Sequence, residues 1–430
     1  MLMKRLLMAS LCGLTSYCVI GQVNAIQSGS PVTVKVSPER LKRIDQLIQG
    51  QIDSGLIKGA VAFVARDGKV IYNKAFGIDD DNLNTPMKTD AIFRIASQTK
   101  AITSVAVMIL FEEGKFFLDD PVSKYIPAFG DVQVVDKFDK KDTSYTTKPA
   151  NRLITIRDLL THTSGIGYPL IGNDTMRAIY AKAAIPLGMV VDPMLLKEGM
   201  IKLAKQPLAH QPGERFTYGL NTDVLGYLVE VVSKMSLDQF LNERLFKPLG
   251  MDDTYFYLPS SKYPRLITTY ITDENNKLRK WKNGDWPFLD MNFPKARGTY
   301  FSGGAGLCST IKDYAIFLQM LLNGGQYNGR RILSRHTVEM MTSNQIGNIQ
   351  WIDPRFYSDR FGLGFAITTK DGQTRIGQSE GSFEWAGAIN TFYWVDPKEK
   401  LVCLLFMQQI PFSWSWSDKY KVAVYQALND

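Results

Sequence analysis

The sequence predicts an α+β fold in which both ends of the chain contribute strands to one sheet and the middle forms a mainly helical lobe. Strand-like runs at 60–65 and 70–76 flank Asp67-Gly68, a pair that is typical of a hairpin turn. Runs of the same kind return only after residue 360, whereas 115–300 has the pattern of helices and long loops. Chain ends that share a sheet form one α/β lobe, and the insertion between them forms a second.

The α/β lobe is predicted at 37–96 and 305–430, and the helical lobe at 97–304. The chain has 430 residues, 45% of them apolar and 21% charged, which is enough for a substantial core. Basic residues are scattered, and at 137–148 they are interleaved with acidic ones, which indicates a solvated surface and not a nucleic-acid site. No cysteine or histidine spacing is typical of a metal site, so no cofactor is predicted.

The N-terminus has the pattern of a secretory signal peptide, predicted at 1–25. Lys4 and Arg5 precede an apolar segment at 6–20, and Val23-Asn24-Ala25 resembles a cleavage site. The apolar segment is short for a membrane span, so stable membrane insertion is not expected. Cleavage near Ala25 predicts a periplasmic or secreted protein. Its formal charge falls from +8 to +6, because two basic residues and no acidic ones are removed.

Residues 26–36 are predicted to form a flexible leader. Ser37-Pro38-Glu39 then starts a helix, with a capping residue, a proline in the first turn and an early acidic residue. Gly55 ends this helix. Of the four cysteines, Cys308 and Cys403 remain after processing, and either a disulfide or two isolated buried thiols is compatible with the sequence.

A second helix is predicted to start near Ser97 and to end near Gly114. Apolar residues follow Ser97 with the spacing of one helix face: Ile102, Val105, Ala106, Ile109 and Leu110. Lys100 lies three residues after Ser97, on the same face and within reach of its hydroxyl. Serine is a weak nucleophile unless a neighbouring base takes its proton, and a buried lysine can be that base. Ser97 and Lys100 are therefore the candidate catalytic pair.

A second Ser-x-x-Lys match occurs at Ser309 and Lys312. Thr310 and Asp313 have the spacing of a capping box that opens the next helix. Ser309 is therefore predicted to be structural.

A third serine, Ser379, lies in a Gly-x-Ser-x-Gly motif that matches the nucleophile elbow of α/β-hydrolases. That fold requires a histidine after the serine, but His162, His210 and His336 all precede it. Ser379 is therefore predicted to be a turn residue, and His162 is predicted to hydrogen-bond within its own loop.

The middle and end of the chain carry weaker signals. Residues 129–150 are predicted to be an irregular surface loop, and 166–205 to be helices packed on the core, with an active-site wall or a lid as alternatives. Thr155 and Asp158 have capping-box spacing. After 305 the pattern predicts a helix at 311–322, strands at 361–369, 383–394 and 401–407, and a last helix at 417–428.

Five motifs occur in a fixed order along the chain: FRIASQTK at 93–100, LLTHTSG at 159–165, QPGERFTYGLNTDVLG at 211–226, SGGAGL at 302–307 and WAG at 385–387. Together they resemble the β-lactamase-related serine hydrolases, which include class C β-lactamases, D-alanyl-D-alanine carboxypeptidases and β-lactamase-like carboxylesterases. The resemblance implies a β-lactamase/transpeptidase-like fold, with an antiparallel sheet flanked by helices plus a mainly helical lobe.

The resemblance also implies roles for individual residues. Ser97 would attack the acyl carbon and form an acyl-enzyme, and Lys100 would share its proton. Tyr218 would relay protons to the leaving group and from the hydrolytic water. The backbone N–H groups of Ser97 and Ala388 would hold the oxyanion. Whether Lys100 or Tyr218 is the general base stays open.

Two departures from the pattern concern substrate binding, to which Trp385, Gly387 and Asn221 are assigned. β-Lactamases and peptidases have a Tyr-x-Asn motif, but here Leu220 occupies the asparagine position and Asn221 follows one residue late. Trp385 stands where those enzymes have a lysine or histidine that helps to bind a substrate carboxylate. An indole suits an acyl or aryl group better. Both changes favour esters over amides and β-lactams.

Three functional hypotheses follow. The first is an exported serine hydrolase that cleaves small carboxylic esters. The second is a β-lactamase or a D-alanyl peptidase with relaxed motifs. The third, from another class, is a binding or scaffold protein that keeps the fold without turnover. The expected partner is a small-molecule ester, or else a lactam or peptide, and the oligomeric state is left open.

Overall fold

The computed structural model describes residues 25–430 except 81, 190, 192, 286–288, 291 and 350–358. Apart from Ala25, the predicted signal peptide therefore lies outside the described residues. Within the described ranges, no helix combines the length and the apolar character needed to cross a membrane.

The strands of the described chain are β1 Gln27–Ser28, β2 Gly59–Arg66, β3 Lys69–Asp80, β4 Thr85–Pro86, β5 Ile92–Arg94, β6 Gln133–Phe138, β7 Tyr145–Pro149, β8 Tyr270–Thr272, β9 Leu278–Lys280, β10 Cys308–Thr310, β11 Gln326–Tyr327, β12 Arg330–Arg331, β13 Arg360–Phe361, β14 Ala366–Ile367, β15 Phe383–Gly387, β16 Thr391–Asp396, β17 Leu401–Phe406 and β18 Gln409–Ile410. The α-helices are α1 Pro38–Asp53, α2 Thr99–Glu112, α3 Ile156–Leu160, α4 Asp174–Lys182, α5 Leu196–Ala204, α6 Asn221–Ser233, α7 Leu237–Leu241, α8 Lys247–Leu249, α9 Ile311–Leu322, α10 Arg335–Met341, α11 Gln373–Ile376 and α12 Ser415–Tyr425.

The main sheet joins the two ends of the chain. Its order is β1-β3-β2-β17-β16-β15-β14-β13, and β4 pairs with the outer part of β3. All of these pairings are antiparallel except that of β1 with β3. The central strands β2, β16 and β17 are buried along their whole length, because helices cover both faces. The predicted α+β layout, with chain ends in one sheet, is therefore what the chain adopts.

Helix α1 begins as the sequence predicts. The Ser37 side chain accepts a hydrogen bond from the backbone N–H of Arg40, and Pro38 occupies the first turn. Its apolar face, with Leu41, Ile44 and Ile48, packs beside α12 in a core on one side of the sheet. The predicted flexible leader at 26–36 is wrong: Gln27 and Ser28 pair with β3, and Val36 is buried in this same core.

Three further predictions are corrected by the structure. The run at 383–394 is two strands, β15 and β16, joined by a turn in which Asn390 has φ of +58°. The run at 361–369 is a short hairpin of β13 and β14 that turns at Gly364, where φ is +98°. Residues 129–150 form the hairpin β6–β7 with mostly solvated side chains.

Helix α2 forms the centre of the second core, on the other side of the sheet. Every residue from Thr99 to Leu110 is buried, as expected for a helix surrounded by protein. Just before it, β5 pairs antiparallel with β10, so that Arg94 faces Cys308. This pairing brings the segment that begins at Ser302 beside the start of α2. Cys308 and Cys403 are both buried and unpaired, which decides between the two alternatives for the cysteines.

Candidate active site

Ser97 lies in a single turn of 3₁₀ helix, Ala96–Gln98, between β5 and α2. The preceding residue, Ala96, has φ of +45°, a left-handed conformation that costs a residue with a Cβ free energy. The turn is held by the backbone, because the N–H of Ile95 donates to the carbonyl of Leu307 at 3.1 Å. The strained turn places Ser97 at the wall of a cavity.

Lys100 reaches Ser97 from the first turn of α2. Its Nζ lies 3.3 Å from Ser97 Oγ and donates to the carbonyl oxygen of Gly304 at 2.8 Å. The residue is 2% exposed, so its amine is held between protein groups and not in bulk water. The predicted proximity of the serine and the lysine is therefore present, with a distance suited to proton transfer.

Two tyrosines enclose the amine of Lys100. Its Nζ lies 4.6 Å from the centroid of the Tyr218 ring and 3.5 Å from Tyr168 Oη. The two rings stack with their centroids 5.6 Å apart. Burial raises the pKa of Tyr168 well above its usual value, so this phenol stays protonated. Sequence reasoning missed Tyr168, although it stands only three residues after the LLTHTSG motif.

Trp385 and Gly387 belong to β15 and line the same cavity as Ser97. The Trp385 indole N–H donates to Tyr218 Oη at 3.4 Å, and the two rings are in contact. A Cβ on Gly387 would lie 2.3 Å from the carbonyl oxygen of Ile95, so glycine is required for β15 to approach the turn before Ser97. Ala388, the next residue, lines the same cavity as Ser97.

The cavity has a volume of about 770 Å³. Its walls are mainly apolar and aromatic, and they come from the segment after α3, from β15 and from the stretch after β18; representative residues are Leu170, Met176, Met189, Phe216, Ile410 and Trp414. Residues 166–205 therefore contribute both packed helices and part of the wall. Arg215 is the one formally charged side chain among the described lining residues, and it pairs with Glu214 at 3.4 Å.

Asn221 does not reach the cavity, which corrects its assignment to substrate binding. Its side chain is fully buried at the start of α6, where its Oδ1 accepts from Ser164 Oγ at 2.5 Å. Its amide also contacts His162 Nδ1 at 2.9 Å. Burial, and then the charge of Lys100, lower the pKa of His162 well below its usual value, so the ring is neutral. His162 and Asn221 thus brace the loop that carries Tyr168.

The other two serine candidates lie outside the cavity lining. Ser309 is buried in β10 and contacts Thr254 Oγ1 at 2.8 Å, while Thr310 caps α9 by accepting from the N–H of Asp313. Ser379 occupies a turn, and its own backbone N–H donates to Asp396 Oδ2 at 3.2 Å. Both structural interpretations agree with these positions.

Comparisons with known proteins place the chain in context. The family model described as Beta-lactamase matches residues 44–422. Protein Rv1367c of Mycobacterium tuberculosis is 36% identical over 367 residues, which cover 84% of this chain and 88% of that protein. Esterase EstB of Burkholderia gladioli is 29% identical over 375 residues, covering 84% and 89%. The solved structure of EstCE1, described as a hydrolase with promiscuous acyltransferase activity, has a TM-score of 0.77 at 27% identity and covers 90% of this chain and 99% of its own.

Proposed function

The chain belongs to the beta-lactamase family of serine hydrolases, and on that premise we propose that it cleaves small carboxylic esters through an acyl intermediate on Ser97. One observation carries the proposal. Ser97 Oγ lies 3.3 Å from the amine of a buried lysine, at the wall of a large apolar cavity. A nucleophile with an adjacent base, at the wall of a cavity that can hold an acyl group, is the arrangement that acyl transfer requires.

The proposed reaction has two halves. In the first, Ser97 Oγ bonds to the acyl carbon while its proton passes to Lys100, and the carbonyl oxygen becomes an oxyanion at the N–H groups of Ser97 and Ala388. The intermediate then collapses, and the alcohol leaves with a proton relayed by Tyr218. In the second half, water attacks the acyl carbon and gives up a proton to the Lys100–Tyr218 pair. The bond between Ser97 Oγ and the acyl carbon then breaks, the proton passes to Oγ, and the acid is released.

The walls of the cavity favour an ester over an amide or a lactam. Trp385 presents an indole where a cation would be needed to hold a carboxylate, and its ring packs on Tyr218. Leu220, at the position of the asparagine in the Tyr-x-Asn motif, is buried. Asn173, an amide in the lining, is already engaged as the cap of α4 through the N–H of Met176. An ester substrate has no amide group, so it does not need an asparagine in the site to bind one.

A β-lactamase or D-alanyl peptidase is the second candidate, and Arg215 is the observation that favours it. Its guanidinium lines the cavity and could attract the carboxylate of a lactam or peptide. The pairing with Glu214 and the exposure of both side chains reduce that attraction. This candidate therefore ranks second.

We expect short-chain aryl esters to be hydrolysed with Ser97 transiently acylated, and β-lactams and D-Ala-D-Ala peptides to be left intact. The protein is exposed to each panel, turnover is followed by absorbance with nitrocefin as the lactam reporter, and the intact mass is recorded. Hydrolysis of nitrocefin faster than of every ester would establish the second candidate. A folded protein that neither turns over an ester nor reacts with a fluorophosphonate would be a binding protein of this fold.

We also propose export with removal of residues 1–25, on the basis of the basic start and the apolar segment at 6–20. The expected result is that protein isolated from the periplasm or the medium has the mass and the N-terminal sequence of a chain starting at Ile26. Recovery of the uncleaved chain from the cytoplasm alone would contradict the proposal.

A further inference from the structure

Asp223 is a buried carboxyl that the proposed reaction leaves without a role. It lies in the first turn of α6 and is completely inaccessible to solvent. Its Oδ1 accepts a hydrogen bond from Ser302 Oγ at 2.6 Å. Its Oδ2 makes no hydrogen bond of good geometry among the described residues, although the backbone N–H of Gly304 lies close enough to favour the charged form. A buried, half-partnered carboxyl is costly, so its presence calls for a reason.

Gly304 connects this carboxyl to the catalytic lysine. A Cβ on Gly304 would lie 2.3 Å from Asp223 Oδ2 and 3.5 Å from Lys100 Nζ, so both groups border the same point in space. The carbonyl of Gly304 also accepts the 2.8 Å hydrogen bond from Lys100. Ser302 donates its hydroxyl hydrogen to Asp223 Oδ1. The same Oγ accepts from the N–H of Ala305, which fixes the turn that contains Gly304.

Several described groups surround Lys100 Nζ, and Asp223 is the one among them that carries a carboxyl. The others are the hydroxyl of Ser97, the phenols of Tyr168 and Tyr218, and the imidazole of His162. His162 is neutral and Tyr168 stays protonated, as their shifted pKa values indicate. Burial raises the pKa of Asp223, while Ser302 and Lys100 oppose that shift. Asp223 Oδ2 and Lys100 Nζ border the same point beside Gly304, so as a carboxylate Asp223 acts on the amine at short range in the protein interior.

We propose that Asp223 is a positioning residue that holds the ammonium form of Lys100 and thereby sets the pH at which the site becomes able to activate Ser97. This inference rests on the proposed ester hydrolysis. A carboxylate near an amine stabilises its protonated form, so Lys100 must lose that stabilisation before it can accept the proton of Ser97. Asp223 is fully buried and is not among the residues that line the cavity, so it is not expected to touch a substrate.

The test is Asp223→Asn, which keeps the shape of the side chain and removes the charge. Without the carboxylate Lys100 loses its proton more readily, so the acid limb of the kcat/KM–pH profile for an aryl ester should move to lower pH by about one unit. Asp313→Asn is the matched control. Asp313 is also a buried carboxyl, but it accepts from the N–H of Asp253 and from Thr254 Oγ1, away from the cavity lining. The kcat/KM–pH profile of Asp313→Asn should keep its acid limb at the wild-type pH.

Ser302→Ala keeps the proposal testable if Asp223→Asn does not fold. Losing the hydrogen bond to Oδ1 disfavours the carboxylate, so the acid limb should move in the same direction by less. A purely structural role would lower the melting temperature of either variant and leave the limb in place, and that result would overturn the proposal. Reaction of Ser97 with a fluorophosphonate in the same variants reports separately on the nucleophile. Loss of the proposed function itself would instead appear as an inactive wild type.

Discussion

Replacing Ser97 by alanine is expected to lower kcat/KM for a short-chain aryl ester by on the order of 10⁴-fold or more, because no acyl-enzyme can form without the hydroxyl. The variant should fold normally, since Ser97 lies at the cavity wall and an alanine fits the same turn. The measurement is steady-state turnover together with the intact mass after exposure to a fluorophosphonate. The wild type should gain one phosphonyl group and the variant none.

Two serines of this chain provide matched controls. Ser309 repeats the Ser-x-x-Lys spacing, but its hydroxyl contacts Thr254; Ser379 lies in a Gly-x-Ser-x-Gly motif, but its backbone N–H is bonded to Asp396 in a turn outside the cavity lining. Ser309→Ala and Ser379→Ala should keep turnover and labelling within a few fold of wild type, even where they lower the melting temperature. Retention of activity in Ser97→Ala, or labelling lost only in one of the controls, would move the nucleophile to another residue.

The parts of the fold that short-range signals determine were predictable from the sequence. Ser37, Pro38 and Glu39 mark the start of α1, and Asp67-Gly68 marks the first hairpin, because capping and turn formation depend on adjacent residues. The apolar run at 383–394 predicts one strand, whereas the structure has two, β15 and β16. Both strands are buried on both faces, so the apolar residues continue through the turn and no change in the sequence pattern marks where one strand ends and the next begins.

The family was predictable because five motifs in order are far more specific than any one of them, and that prediction is confirmed. Asn221 was placed wrongly. The position of Asn221 three residues after Tyr218 does not reveal that the Asn221 side chain contacts His162 and does not line the cavity. Asp223 and Tyr168 approach Lys100 from distant parts of the chain, and only the folded structure shows that they share its surroundings. The catalytic roles of Ser97, Lys100 and Tyr218 remain proposals that rest on this geometry.

Replacing Lys100 by methionine is expected to lower kcat/KM for the same ester by roughly 10²- to 10⁴-fold, which is the range that a positioned general base contributes. Methionine keeps most of the buried stem and removes the amine that lies 3.3 Å from Ser97 Oγ. The carbonyl of Gly304 loses its donor, so the free energy of unfolding should fall by about 1–3 kcal/mol. Stopped-flow kinetics of acylation separates this chemical effect from the loss of stability, which urea unfolding reports.

Lys312→Met is the control for this variant, because Lys312 belongs to the second Ser-x-x-Lys match and is exposed at the start of α9. It should acylate at the wild-type rate. If Lys100→Met also acylates Ser97 at that rate, the lysine is not the base. The proton must then go to Tyr218, whose ring lies 4.6 Å from the missing amine. A slow variant whose rate recovers with added small primary amines would instead establish that the amine of Lys100 takes the proton.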